Sequence, residues 1–72
     1  MPTLTAYREQ LGWSRAELAR EAGVSYRVIL KVENGESITA FSATKIAQAL
    51  SRGLDKVIMA QHVEGLNIRE DS

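Results

Sequence analysis

Cysteine is missing from this chain altogether, so neither a disulfide framework nor a thiolate metal site can form, which fits a reducing compartment. The single histidine, His62, has no carboxylate at ligand or triad spacing, and that removes the usual zinc and nucleophile arrangements. The sequence holds no glycine-rich phosphate loop, no His-Glu-x-x-His element and no pair of carboxylates placed for acid and base work. Catalytic residues, metal ligands and cofactors are therefore not expected, and the chain reads as a non-enzyme. No apolar run approaches the roughly 18 residues that cross a bilayer, and no basic segment followed by an apolar stretch opens the sequence. A soluble chain in the cytoplasm, with no membrane partner, is the expectation.

Excess charge of one sign is lacking too. Nine basic and nine acidic residues cancel, whereas nucleic-acid binders usually carry surplus positive charge. Residues 1–35 hold five Arg or Lys against four Glu, and residues 36–72 hold four against five acids, an asymmetry too small to decide anything. With 72 residues and 44% hydrophobic content, the chain can make one small domain that buries a limited share of its surface. Neither an internal repeat nor a low-complexity segment is evident.

What the sequence does have is well-placed punctuation between short amphipathic segments. Thr3 can cap a first helix in which Leu4, Tyr7 and Leu11 recur at helical spacing before Gly12 ends it. Trp13 follows at the corner and is expected to fill the core. Ser14 and Glu17 form a capping box for a second helix, which presents Leu18, Ala19 and Ala22 on a narrow apolar side and ends at Gly23. Val24 plugs the turn. Ser25 then caps a third helix from Tyr26 to about Asn34, with Gly35 as its stop. Two short helices joined by so tight a turn read as a helix-turn-helix.

Rotation by about 100° per residue puts Val28, Ile29 and Val32 of the third helix on one arc, facing the core. Tyr26, Arg27, Leu30, Lys31 and Asn34 fall on the opposite arc. A phenol, an aliphatic chain, an amide and two cations make a surface able to read base edges and touch phosphate. Leu30 is open to two readings, contact with a base or a single exposed aliphatic residue, which is ordinary on protein surfaces. Arg15, Arg27 and Lys31 can share a face, so a local basic patch is compatible with zero net charge.

Beyond Gly35, residues Glu36 to Ile38 read as a short loop, and Thr39 as the cap of a fourth helix over about Ala40 to Ser51, with Ala43, Ile46, Ala47 and Leu50 inward. The hydroxyls of Ser37 and Thr39 at that helix start could hold a phosphate. Gly53 is expected to break the chain before a fifth helix, from Leu54 or Asp55 to Val63 or Glu64. That helix would carry Leu54, Val57 and Ile58 on one stripe and Met59 and Val63 on another. A second apolar face, joined by Leu66 and Ile68, is a candidate homodimer interface, with packing inside the monomer as the alternative for Met59 and Val63. Residues 69–72 are expected to be disordered. The domain would thus span residues 1–64, with 65–72 as a tail.

The combined pattern resembles the Cro/cI-type, or Xre-type, family of phage and bacterial repressors, over roughly residues 4 to 58. The resemblance rests on Arg8, Leu11-Gly12, Ser14-x-x-Glu17-Leu18-Ala19, Gly23-Val24-Ser25, Glu33-Asn34-Gly35 and Ile46-Ala47-Gln48-Ala49-Leu50. It implies an all-α, lambda-repressor-like bundle of about five short helices around a central helix-turn-helix. It implies base reading by Tyr26, Arg27 and Lys31, phosphate contact by Arg15 and Asn34, and a bracing ion pair between Arg8 and Glu33. At the first residue of the second helix the family commonly has Gln, and Arg15 departs from that. The function implied is a transcriptional regulator, a repressor, that binds a pseudo-palindromic double-stranded DNA operator as a homodimer in the cytoplasm of a bacterium or its phage. A protein-interaction module, such as an antitoxin or a helical adaptor with a regulatory protein partner, is the alternative.

Overall fold

A computed structural model describes residues 2–69. In chain order it contains α1 (Leu4–Leu11), α2 (Arg15–Ala22), α3 (Tyr26–Glu33), β1 (Ser37–Thr39), α4 (Ala40–Leu54), a 3-10 turn at Ala60–His62 and β2 (Asn67–Arg69). The fold is all-α in character, with the helix-turn-helix formed by α2 and α3 and with four α-helices rather than five among the described residues.

Local signals in the sequence set the first three helices. The Thr3 hydroxyl accepts from the Ala6 amide, and Ser14 and Glu17 exchange both bonds of the capping box, at 3.1 and 2.9 Å. Ser25 accepts from the Val28 amide. At the far end of α3, Gly35 adopts φ 81°, which lets its amide reach Val32 O and the Glu36 amide reach Lys31 O. That double closure satisfies carbonyls the helix cannot pair internally. Two cations of α4 close the end of α2 from outside: Lys45 Nζ donates to Gly23 O at 3.3 Å and Arg52 to Glu21 O at 2.9 Å. Positive charge there also complements the helix dipole.

The core is one cluster, built by Leu4, Tyr7, Leu18, Ala19, Ala22, Ile29, Val32, Ile38, Ala43, Ile46, Ala49, Leu50, Ile58 and Val63. Trp13, Val24 and Val28 are partly buried and pack against it, as their positions in the sequence imply.

Four expectations fail from Gly35 onward. Gly53 does not break the chain but lies inside α4, where a Cβ would sit 2.7 Å from Leu11 Cδ2 and 2.9 Å from Trp13 Cη2. It is there because α1 and the corner after it press on α4. The helix instead ends at Asp55, which takes the left-handed conformation with φ 55°. The fifth helix does not form. Ser51 Oγ accepts from the Ile58 amide at 2.9 Å and lies within bonding distance of Ile58 O and Ala47 O, so the chain after α4 is held extended against the helix end.

In place of a loop, Ser37–Thr39 forms β1 and pairs in parallel with β2, in the register Ser37 with Asn67 and Thr39 with Arg69. Arg69, expected to begin a disordered end, therefore belongs to a strand; the rest of that expectation falls on residues 70–72, outside the described residues. Thr3 and Glu64 make a separate parallel bridge. No helix among the described residues is long and apolar enough to cross a membrane.

Candidate nucleic-acid interface

Glu33, the last residue of α3, organises the site. Arg8 Nε donates to its Oε2 at 2.9 Å and Arg15 Nε donates to its Oε1 at 2.7 Å, while the carboxylate itself is only 5% exposed. Arg8 also donates to Trp13 O at 3.0 Å. One carboxylate thus ties the end of α3 to α1, to the start of α2 and to the corner between them. Burial alone would raise the Glu33 pKa, but the hydrogen bonds from Arg15 and Arg8, with their positive charge, outweigh it and hold the group below its ordinary range. The hydrogen bond to Glu33 is the largest cause that raises the pKa of Arg15.

With its C-terminal end fixed in this way, α3 turns its other face outward. Tyr26 is 47% exposed and Arg27 is exposed beside it, whereas Leu30 and Lys31, one turn on, are half-buried. Ile29 and Val32 are buried on the inner side. Tyr26, Arg15, Arg8, Ser14 and Ala16 line one shallow open concavity where the starts of α2 and α3 meet. No ion pair engages Arg27 or Lys31 among the described residues.

A family model described as helix-turn-helix matches residues 4–57. The chain belongs to this family, of Xre, Cro and cI type. Membership makes it a DNA-binding helix-turn-helix regulator. None of the curated proteins and none of the solved structures compared with it matches the chain.

Against that family frame, the remaining residues singled out in the sequence sort clearly. The ion pair between Arg8 and Glu33 is present. Arg15 is not a free cation at the head of α2, because its Nε is committed to Glu33, although its side chain stays 46% exposed beside the concavity. Asn34 is exposed at the end of α3, with Ser37 half-buried beyond it. Thr39 is occupied as the cap of α4, accepting from the Ser42 amide at 3.2 Å and donating to Ser42 Oγ at 3.1 Å.

The four residues named as interface candidates separate. Val63 is 3% exposed and belongs to this chain's own core, and Leu66 packs against that core, so neither offers a free apolar face. The stripe joining Met59 to Val63 required a helix that is not formed. Met59 and Ile68 are 49% and 44% exposed. His62 lies in the 3-10 turn, where its Nδ1 accepts from the Met59 amide at 3.1 Å.

Two features had no part in the sequence reading. One is the second arm of the Glu33 pairing; the signal for it was an arginine standing where the family has Gln. The other is Phe41, 72% exposed at the start of α4 with Lys45 Nζ 4.5 Å from its ring centroid.

Proposed function

We propose that this regulator is a sequence-specific repressor that inserts α3 into the major groove of double-stranded DNA and acts as a homodimer on a pseudo-palindromic operator, in the cytoplasm of a bacterium or its phage. The observation that carries the reading is the pairing of an anchored end with an exposed one: Glu33 is locked by two arginines while Tyr26 and Arg27 stand in solvent. An anchored helix presents its side chains at fixed positions, and base readout requires that. Tyr26, Arg27, Leu30 and Lys31 address base edges; Arg15, Asn34, Ser37 and Thr39 address phosphates.

Two-fold symmetry would place two copies of α3 about 34 Å apart, one turn of DNA. Met59 and Ile68 are the exposed apolar residues that favour self-association. Exposure of Phe41 and of Val57, at 72% and 83%, favours a second reading in which the same fold covers a protein partner, as an antitoxin or adaptor does.

Binding to a randomised duplex pool at two salt concentrations, with sequencing of the retained DNA, tests the proposal. Enrichment of a two-fold-symmetric site is expected. Absence of enrichment at low salt would transfer the function to the protein-interaction reading.

A further inference from the structure

We infer that the face of α4 bearing Phe41 docks a second copy of this chain, each copy inserting its Phe41 ring into a concavity between α4 and residues 58–61 of the other. This rests on the homodimer reading and gives it an interface.

Phe41 leaves 72% of its surface in solvent, yet its ring is not loose. Lys45 Nζ sits 4.5 Å from the ring centroid and is itself tied to Gly23 O at 3.3 Å, so the ring is steadied from one side before any partner arrives. A side chain ordered in advance loses less entropy on binding. Thr44 and Gln48 follow Phe41 at spacings of three and four residues and so share its side of α4. Beside them lies an open concavity of about 330 Å³, walled by Thr44, Gln48, Met59 and Gln61 and floored by the buried Ala47 and Ile58. It exists because the chain leaves α4 at Asp55 and is brought back along the helix, with Ser51 Oγ holding the Ile58 amide. Ile68 stands near the start of α4, since the strand register sets its neighbour Arg69 opposite the cap Thr39.

Exposure alone would suit any partner. Two features commit this face to a second copy. First, it carries both halves of a contact: the knob at position 41 and the hole beside position 48 are about 10 Å apart along one helix. A two-fold axis near Thr44 would set the two α4 helices antiparallel and lay each Phe41 over the other copy's Gln48 and Met59. Both contacts then close at once, as an isologous interface requires. Second, none of the described residues lining the concavity is charged, in a chain of which 25% of the residues are. Near a two-fold axis every side chain meets its own copy, so a charge there would repel itself. A foreign partner imposes no such condition. The centres of interfaces are likewise poor in charge and rich in aromatic residues and Met. Tyr26 and Arg27 lie on α3, which contributes no residue to the concavity, so the paired copies keep both for DNA.

Sedimentation equilibrium of the full chain without DNA tests this on wild type, Phe41→Ala, Thr44→Lys and Thr44→Glu, each first checked for an unchanged circular-dichroism spectrum. Both positions are exposed, so the fold should tolerate the changes. Wild type is expected to dimerise, and Phe41→Ala to do so at least about tenfold more weakly, as at a buried anchor. Thr44→Lys and Thr44→Glu should each sediment as monomers, and an equimolar mixture of the two should recover a dimer, because each charge then faces its opposite. A dimer that survives the substitutions, or a mixture that fails to recover it, would overturn the inference and leave the homodimer reading standing. A wild type that stays monomeric would overturn both and give the face to a different protein.

Discussion

Arg15 Nε lies 2.7 Å from Glu33 Oε1, closer than the Arg8 nitrogen on the other carboxylate oxygen at 2.9 Å. The end of α3 is therefore fastened to two preceding helices by one side chain. Its ionisation state governs the fastening.

Acid should loosen it. The Glu33 pKa is lowered in the folded protein relative to 4.5, so this contribution to stability is complete above about that pH and disappears as pH falls through the lowered folded value. Glu33→Gln is expected to be less stable than wild type near neutrality, with the gap closing below about pH 4.5. Urea unfolding of both proteins across pH 3 to 7 measures it, and a gap independent of pH would contradict the assignment. Glu33→Ala, which leaves the partly buried Arg8 guanidinium without its carboxylate and frees the exposed Arg15, should be less stable than wild type near neutral pH.

Gly53→Ala should destabilise. Alanine in place of glycine inside a helix ordinarily adds up to about 1 kcal/mol. Here the new Cβ would meet Leu11 and Trp13 at 2.7 and 2.9 Å, and overpacking costs about 1–3 kcal/mol. The net effect is a loss of about 1 kcal/mol by chemical denaturation. Trimming Leu11 to Ala should make the same substitution at 53 less harmful, which a double-mutant cycle reads directly.

Ser51→Ala should release the segment after α4. Its hydroxyl serves the Ile58 amide and lies near two carbonyls, and removing it leaves a partly buried N–H without its partner. A loss of about 1–3 kcal/mol is expected. Hydrogen exchange should accelerate at the Ile58 amide well before it does in α2 or α3.

Arg27→Ala and Asn34→Ala should fail in different ways on DNA. Loss of Arg27 is expected to flatten preference at one base pair, a contact of about 1–3 kcal/mol, whereas loss of Asn34 weakens binding to all sequences alike. Competition titrations with operator variants separate the two outcomes. Intact affinity in Arg27→Glu would show that α3 does not face the DNA.

Ile68→Lys should abolish self-association while leaving the fold intact, because Ile68 lies on β2 with 44% of its surface exposed. Sedimentation equilibrium with a parallel thermal melt checks both halves of that statement. Val63→Lys should instead unfold the monomer, since Val63 is 3% exposed.

The sequence was legible where a side chain acts on its own backbone neighbours. Ser14 with Glu17, Ser25 with Val28, and Gly35 at the end of α3 encode their structure within a few residues, and each stands as expected. Gly53 was not legible, because the same residue type ends a helix or admits a close neighbour. Which of these it does is settled by Leu11 and Trp13, some forty positions away. Helix five was an apolar periodicity that the chain does not use: it turns at Asp55, Ser51 Oγ holds the Ile58 amide, and Ile58 and Val63 enter the core without an α-helix between them. β1 and β2 are too short to show alternation and exist through their mutual pairing. In the site, rotation alone placed Tyr26, Arg27 and Asn34 in solvent, while Leu30 and Lys31, put on the same arc, are half-buried. The commitment of Arg15 to Glu33 could not be read that way, since it depends on how α2 and α3 cross.

The parallel pairing of Ser37–Thr39 with Asn67–Arg69 also gives assembly of the domain an order in time. The four α-helices of the described residues are all complete in a nascent chain that has emerged through Leu54, and their mutual packing needs nothing beyond it. The strand that follows α3 must wait for residues 67–69, and for the Asn67 side-chain amide that donates to Gly35 O at 2.9 Å. During synthesis, the segment that leaves α3 is thus the last of the described residues to be secured.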